Sequence, residues 1–267
     1  MNHTMMTFNL RYNEPRDGVN SWPNRVNQVA EVISSHKASV IGTQEGLYEM
    51  LNQLQSNLPG YAWLGSGRLG GEKDEHCAVL YNTLLLEALE DGQFWLSESP
   101  DQAGSISWNS GCPRICTWVH FREKDTGSEF VFYNTHLDHL SHEARMQGAK
   151  LLTKEIQQQQ EGKYLPIILT GDFNSTPDDQ TIQFLRGELD LSGERSQLKD
   201  TFLSTHSKEN IGGTFHDFKG GTDGELIDYI FVSQDWDVHS VLVDRRSFEG
   251  RYPSDHYPVV ANLSMKS

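Results

Sequence analysis

The hydrophobic pattern is sharpest at residues 165–177, LPIILTGDFNSTP. Leu165, Pro166, Ile167, Ile168 and Leu169 form a short apolar run bounded by turn residues, the pattern of a strand buried on both faces. The run passes into Gly171-Asp172-Phe173-Asn174 and breaks at Ser175-Thr176-Pro177. A carboxylate and a carboxamide thus stand one residue apart at the end of a core strand. In an extended segment Asp172 and Asn174 would point the same way. The competing reading is a local turn, which Asp and Asn also favour.

The same reading predicts a first strand over Met5–Leu10, then a polar loop over Arg16–Pro23. Val26, Val29, Ala30 and Ile33 fall at helical spacing and predict a helix ending near Lys37. A short strand at Ser39–Gly42 leads directly to Gln44-Glu45, and a second helix carries Leu47, Leu51, Leu54 and Leu58. Tyr61–Gly65 is extended and opens a Gly-rich loop ending at Gly71. Cys77–Tyr81, Leu84–Leu89 and Gln93–Leu96 are predicted as separate strands, and Asp101–Pro113 as a long polar loop. Ile115–Phe121 and Glu129–Thr135 read as a hairpin, and a third helix starts near Ser141. After a stretch rich in Gly, Ser and charge, Leu226–Val232, Val238–Val243 and Pro258–Leu263 supply three more strands. Strands outnumber helices and many are joined by short turns, so a layered α/β protein with mixed sheets is expected. The pattern alone leaves open whether there is one sheet or two.

The chain of 267 residues shows no repeat, linker or composition shift, and residues 1–267 are expected to form one domain. Its 22 Lys+Arg against 37 Asp+Glu give a formal charge of −15, which disfavours holding long nucleic acid by a general basic field. A small phosphate ester is not excluded, because a bound metal reverses the local sign. No stretch of about 18 apolar residues exists to span a membrane. The start, MNHTMMTFNLRY, lacks the pattern of a signal peptide, and Cys77, Cys112 and Cys116 make no disulfide framework. A cytoplasmic location is the expectation.

Asn9, Glu45, His136, Asp172 with Asn174, and Asp228 share one arrangement: an apolar strand accompanied by an acid, amide or imidazole. Ser254-Asp255-His256 precedes a further strand. Carboxylates and carboxamides gathered in one cleft suit a hard cation, Mg²⁺ or alternatively Mn²⁺, better than zinc.

The order TFNLRY, TQE, NTH, GDFN, IDYIF, SDH resembles the endonuclease/exonuclease/phosphatase superfamily of metal-dependent phosphoesterases, from Met5 to Leu263. The resemblance implies a four-layer α/β sandwich, two facing mixed β-sheets flanked by helices, with the active site at one end. It implies Glu45 as the main metal ligand, with Asn9 and Asp255 nearby. Asp172 would orient or deprotonate the attacking water and Asn174 would hold a phosphoryl oxygen. His256, oriented by Asp228, and His136 would face the phosphate from either side. The residues leave open whether Asp172 or His256 is the base; Asp172 is preferred.

Arg145 on the third helix, Arg68 in the Gly-rich loop and Trp108 in the polar loop are candidate substrate contacts; a solvated helix or loop face is the competing reading. His36, His206 and His239 read as surface or satisfied core residues, and Phe94-Trp95-Leu96 as core. His136, His139 and His142 suggest a zinc run, but Asn134 stands where such a run would need its first His. The place of the WCDRIL-like segment of inositol polyphosphate phosphatases reads Glu225-Leu226-Ile227-Asp228-Tyr229, without the Trp-Cys or the Arg. Ser254-Asp255-His256-Tyr257-Pro258 and the run from His136 to Arg145 are closer to the deadenylase-like and nocturnin-like branch. A small or terminal nucleotide-like ester, such as an RNA end, is therefore the expected substrate. Endonuclease action, or a phospholipid or sugar-phosphate substrate, is the alternative on the same fold. A non-catalytic binding protein is disfavoured by the presence of Glu45, Asp172 and His256, and no protein partner is implied.

Overall fold

The computed structural model describes residues 2–191, 193–205 and 211–266. Two six-stranded mixed sheets face each other, with strands numbered in chain order. The first runs β11 (Trp236–Val243), β12 (Val259–Met265), β1 (Asn2–Asn9), β2 (Val40–Gln44), β4 (Val79–Asn82), β3 (Tyr61–Leu64). The second runs β5 (Leu86–Trp95), β6 (Ile115–Glu123), β7 (Glu129–His136), β8 (Ile167–Asp172), β10 (Asp228–Val232), β9 (Lys199–Asp200). Each holds one parallel pair at its centre, β1 with β2 and β7 with β8. Parallel neighbours need a crossover, and helices α1 (Val26–His36) and α3 (His142–Gln160) lie in those connections.

Period-2 alternation sorts the strands into layers. Met6 and Phe8 of β1, with Leu10 just beyond it, pack with Val29, Val32 and Ile33 of α1 and with Met50, Leu51 and Leu54 of α2 (Tyr48–Ser56). Met5 turns the other way and joins Val40, Val79, Phe121, Phe130 and Phe132 in the apolar filling between the sheets. On the far side, Leu152 and Ile156 of α3 cover the second sheet, where the Tyr133 hydroxyl bonds Gln159. The layers are thus helices, sheet, sheet, helix, as the resemblance implies.

Near the site the filling turns polar. Gln44 Nε2 donates to Asn134 Oδ1 at 2.7 Å and Thr7 Oγ1 at 3.1 Å. Asn134 Nδ2 donates to the Thr43 and Ala78 carbonyls at 2.8 and 3.1 Å. These bonds tie the facing sheets together, and Gly42 lets them approach: a Cβ there would lie 2.2 Å from Thr170 Oγ1 and 2.5 Å from Asn134 Oδ1.

Several expectations need correction. Leu84–Leu89 and Gln93–Leu96 are not two strands: β5 is continuous, and the register shift between Ala88 and Glu90 absorbs what reads as a turn. The stretch read only as Gly-, Ser- and charge-rich holds α4 (Gln180–Leu185), α5 (Thr201–Thr205) and β9, elements too short to show a period. The Arg16–Pro23 loop contains two 3-10 segments, Pro15–Asn20 and Trp22–Asn24. None of the described helices is long and apolar enough to cross a membrane.

Candidate active site

The topology brings strand termini together. His136 at the end of β7 pairs in register with Asp172 at the end of β8, and Asp172 pairs with Asp228. Asp228 begins its strand rather than ending it; because β10 is antiparallel to β8, its first residue arrives at the same edge. On the facing sheet, β1 and β2 end alongside each other at Asn9 and Gln44, immediately before Glu45.

Asp172 is the hub. Its Oδ1 accepts from the Asn174 N–H at 2.9 Å, and Oδ2 accepts from Asn9 Nδ2 at 3.0 Å. Nε2 of His136 lies 3.4 Å from Oδ2, and Nε2 of His256 lies 3.7 Å from it. His256 Nδ1 meets Asp228 Oδ2 at 2.9 Å. The imidazole of His256 is thus flanked by two carboxylates. Burial opposes its charging, but Asp228, Asp172 and Asp255 outweigh that and lift its pKa to about 10. Burial, reinforced by Asp228, pushes Asp172 up to about 7. His136 moves the other way: burial, with the charges of Arg114 and His256, holds it neutral.

Asn174 is not extended. With φ at 45° it sits in the left-handed region, as does Glu45 at 61°. The reason is local: the Asn174 N–H folds back onto Asp172, and its Nδ2 donates to His136 Nε2 and to the Leu137 carbonyl, both at 3.0 Å. The turn reading of this segment holds, and the carboxamide still lines the pocket. Non-glycine residues in this region carry strain that packing must hold, a feature that clusters at functional sites.

Asn9 bridges the sheets, because the same Nδ2 that reaches Asp172 also donates to Glu45 Oε1 at 3.0 Å. Glu45 Oε2 accepts from the Tyr12 N–H at 3.0 Å. Ser254 Oγ donates to the Asn9 carbonyl at 2.6 Å and so docks the Asp255-His256 segment. Arg25 is fully buried, donating to the carbonyls of Leu10, Arg11, Asn20 and Pro253, and thereby joins three chain segments behind the site.

These side chains open into a cavity of about 470 Å³. Glu45, His136, Asp172, Asn174, Asp255, His256 and Arg68 line it. Asn9 and Asp228 stand behind the lining as hydrogen-bonding partners. Arg145 and Trp108 are not brought to this cavity. Arg145 Nη1 donates to the Asp138 carbonyl at 3.1 Å and Nη2 lies 3.7 Å from Asp179, the residue capping α4; it braces a loop. Trp108 borders a separate hollow beside Gln147 and Lys150, and its carbonyl holds the Ser141 hydroxyl at the start of α3. Arg11, Glu75, Arg114, Phe215 and Phe218 line the cavity without having been singled out as substrate contacts. They come from loops, where no hydrophobic period marks a position. His36 pairs with Asp244, His239 is exposed, Phe94-Trp95-Leu96 is core, and His206 lies outside the described residues.

Among the described residues, two groups gather three side chains able to ligate a metal, Asp172-Asp228-His256 and Cys112-Asp138-His139. In the second, Asp138 is saturated by Ser110 Oγ and the N–H groups of Gly111, Leu140 and Ser141, so a zinc reading gains nothing. Glu45 and Asp255 offer carboxylate oxygens in the same cavity, while Asn9 turns Nδ2 toward Glu45 and Asp172 and its Oδ1 accepts from the Arg11 N–H at 2.9 Å. Burial raises the pKa of Asp255 and the Glu45 charge adds to it, while Arg11 Nε lies 3.8 Å from Asp255 Oδ2. An all-oxygen set of crowded acids fits a hard divalent cation.

Comparison with known proteins gives the family. Residues 6–256 match the Endonuclease/Exonuclease/phosphatase family. A mannosyl-6-phosphatase of Bacteroides thetaiotaomicron is 35% identical, covering 98% of this chain and 100% of its own, with a TM-score of 0.89. A family protein of Bacteroides vulgatus is 33% identical over 100% of both chains, with a TM-score of 0.90. An RNA exonuclease of Saccharomyces cerevisiae is 25% identical over 58% of this chain and 50% of its own length. The chain thus spans about half the length of that curated relative. The human nocturnin catalytic domain shares the fold at 19% identity, covering 99% of this chain and 94% of its own, with a TM-score of 0.76. The chain belongs to the endonuclease/exonuclease/phosphatase family.

Proposed function

We propose that the chain is a metal-dependent phosphomonoesterase acting on a small hydroxylated ester such as a sugar phosphate. The observation that carries this reading is the convergence of Asp172, Asn174, His136 and His256 beside Glu45 and Asp255 in a cavity of about 470 Å³. Such a volume suits one small molecule, and the net charge of −15 offers no long-range attraction for a polyanion. The full-length similarity to a mannosyl-6-phosphatase supports the sugar ester over the RNA end suggested by the sequence motifs.

Glu45 and Asp255 would hold Mg²⁺ or Mn²⁺, which supplies Lewis acidity at a phosphoryl oxygen and favours water attack at neutral pH. Asn9 orients Glu45 through Nδ2 and would become a ligand only by turning its oxygen, now held by the Arg11 N–H, toward the ion. Asp172 takes the proton of the attacking water; burial and Asp228 raise its pKa in the metal-free chain, which favours proton acceptance. His256 Nε2 donates to an equatorial oxygen, where charge builds as the phosphoryl group transfers, and Asn174 Nδ2 joins it by exchanging its bond to His136 Nε2 for one to the substrate. Asp228 keeps His256 charged and aimed. Neutral His136 accepts from Asn174 Nδ2 and fixes the carboxamide's direction.

An RNA 3′ end is the second reading, because Phe215 and Phe218 line the cavity and offer faces for stacking a base. Phosphate release from mannose 6-phosphate and adenylate, and shortening of oligo-A, assayed with Mg²⁺, Mn²⁺ and EDTA, separate the two. Fast, metal-dependent release from the sugar ester with oligo-A untouched is expected. Shortening of oligo-A in preference to the sugar ester would overturn the leading reading.

A further inference from the structure

Arg68, Glu75 and Arg114 form a wall of the cavity that phosphoryl transfer leaves unused. The same three line a narrow recess together with Glu45 and His136, so the wall begins where the phosphoryl end stops. Arg114 is only 6% exposed, and among the described residues its Nε makes no hydrogen bond. Its Nη2 donates to His139 Nδ1 at 2.8 Å, while Asp138 Oδ2 lies 3.5 Å from Nε and already accepts from Ser110 and Gly111. Arg68 Nη2 lies 3.0 Å from both Asp74 Oδ1 and Glu75 Oε1, and its Nε is likewise buried without a partner.

Two guanidiniums here face three carboxylates, Asp74, Glu75 and Asp138. The wall therefore has no surplus positive charge for a second phosphate. It presents fixed N–H donors beside a carboxylate acceptor, the pattern that hydroxyls satisfy because each both donates and accepts. A site built to bond hydroxyls also rejects analogues lacking them.

We propose that Arg68, Glu75 and Arg114 form a hydroxyl-binding subsite that holds the uncharged polyol leaving group of the ester. The proposal rests on the phosphomonoesterase reading and names the residues that choose among its substrates.

The test is equilibrium binding of mannose 6-phosphate and methyl phosphate to the full chain carrying Asp172→Asn, with Mg²⁺ present. Mannose 6-phosphate should bind at least about 10-fold more tightly, the net worth of about one hydrogen bond. Adding Glu75→Gln or Arg114→Gln should bring the ratio close to one. Arg114→Lys, which keeps the charge but loses the planar fork, should forfeit most of the ratio, and melting curves establish that each variant folds. A ratio near one before these changes, or a ratio that survives them, would overturn the subsite. Tighter binding of mannose 1,6-bisphosphate than of mannose 6-phosphate would overturn it in favour of a second phosphate site. Phosphate release by the unmutated chain is followed in parallel: no release from either ester would sink the phosphomonoesterase reading, while the binding ratio still decides the subsite.

Discussion

His256 and Asp172 hold protons in the folded chain that they would release when unfolded, and each gives the metal-free protein a pH-dependent contribution to stability. Asp172 is raised to about 7 and His256 to about 10. The folded state therefore binds more protons than the unfolded one, between about pH 4 and 7 through Asp172 and between about pH 6.5 and 10 through His256. Both contributions are complete at low pH and lost as pH rises. In EDTA these two groups should lower the melting temperature as pH rises from about 5 to 9, and Asp172→Asn should flatten the decline between about pH 5 and 7. A melting temperature that climbs over this range would contradict the assignment. Glu45 belongs to the other half of the site: Glu45→Gln should abolish most Mn²⁺ binding while the fold survives, although one of the two N–H bonds that Glu45 accepts, from Asn9 and Tyr12, is lost. Calorimetric titration showing undiminished Mn²⁺ affinity would exclude Glu45 as a ligand. Glu45 and Asp172 were legible because each adjoins an apolar run that fixes its place. Their geometry was less so: nothing in GDFN or TQE says that Asn174 and Glu45 adopt positive φ.

Strands decide where those residues meet. Parallel pairing makes β1 end beside β2 and β7 beside β8, and antiparallel β10 starts at that edge. The sheets must also approach closely there, which explains Gly42 inside β2. Gly42→Ala would press its Cβ against Thr170 and Asn134 and should destabilise the fold by about 2 kcal/mol, the usual scale of overpacking. Chemical denaturation with an unchanged midpoint would show that the sheets can separate without cost. Most strands and α1, α2 and α3 were legible from periodicity. The bulge that keeps β5 continuous was not, since Glu90-Asp91-Gly92 reads as a turn in isolation. Gln44 and Asn134 carry no local sign that they pin one sheet to the other; that role exists only once the sheets are stacked.

At the scale of the molecule, the excess of acids limits what can be gripped. An oligonucleotide should show a slope of log affinity against log salt matching only about one to three phosphate contacts, with no growth as the strand lengthens. Fluorescence titration of the Asp172→Asn chain with oligo-A of increasing length measures this, and a steep, length-dependent slope would reveal an extended basic groove. Charge and motif order made the phosphoesterase class legible, but much of the cavity lining beyond the strand ends comes from loops, Arg68, Glu75, Arg114, Phe215 and Phe218 among it. The most direct test of the whole account is the rate of phosphate release from mannose 6-phosphate by the unmutated chain and by Asp172→Asn, with Mg²⁺ and with EDTA. Release should require the metal and should fall by about a thousandfold in the variant while its melting curve stays cooperative, the scale of losing a positioned base. Turnover that persists in EDTA, or an Asp172→Asn chain as fast as the original, would contradict it.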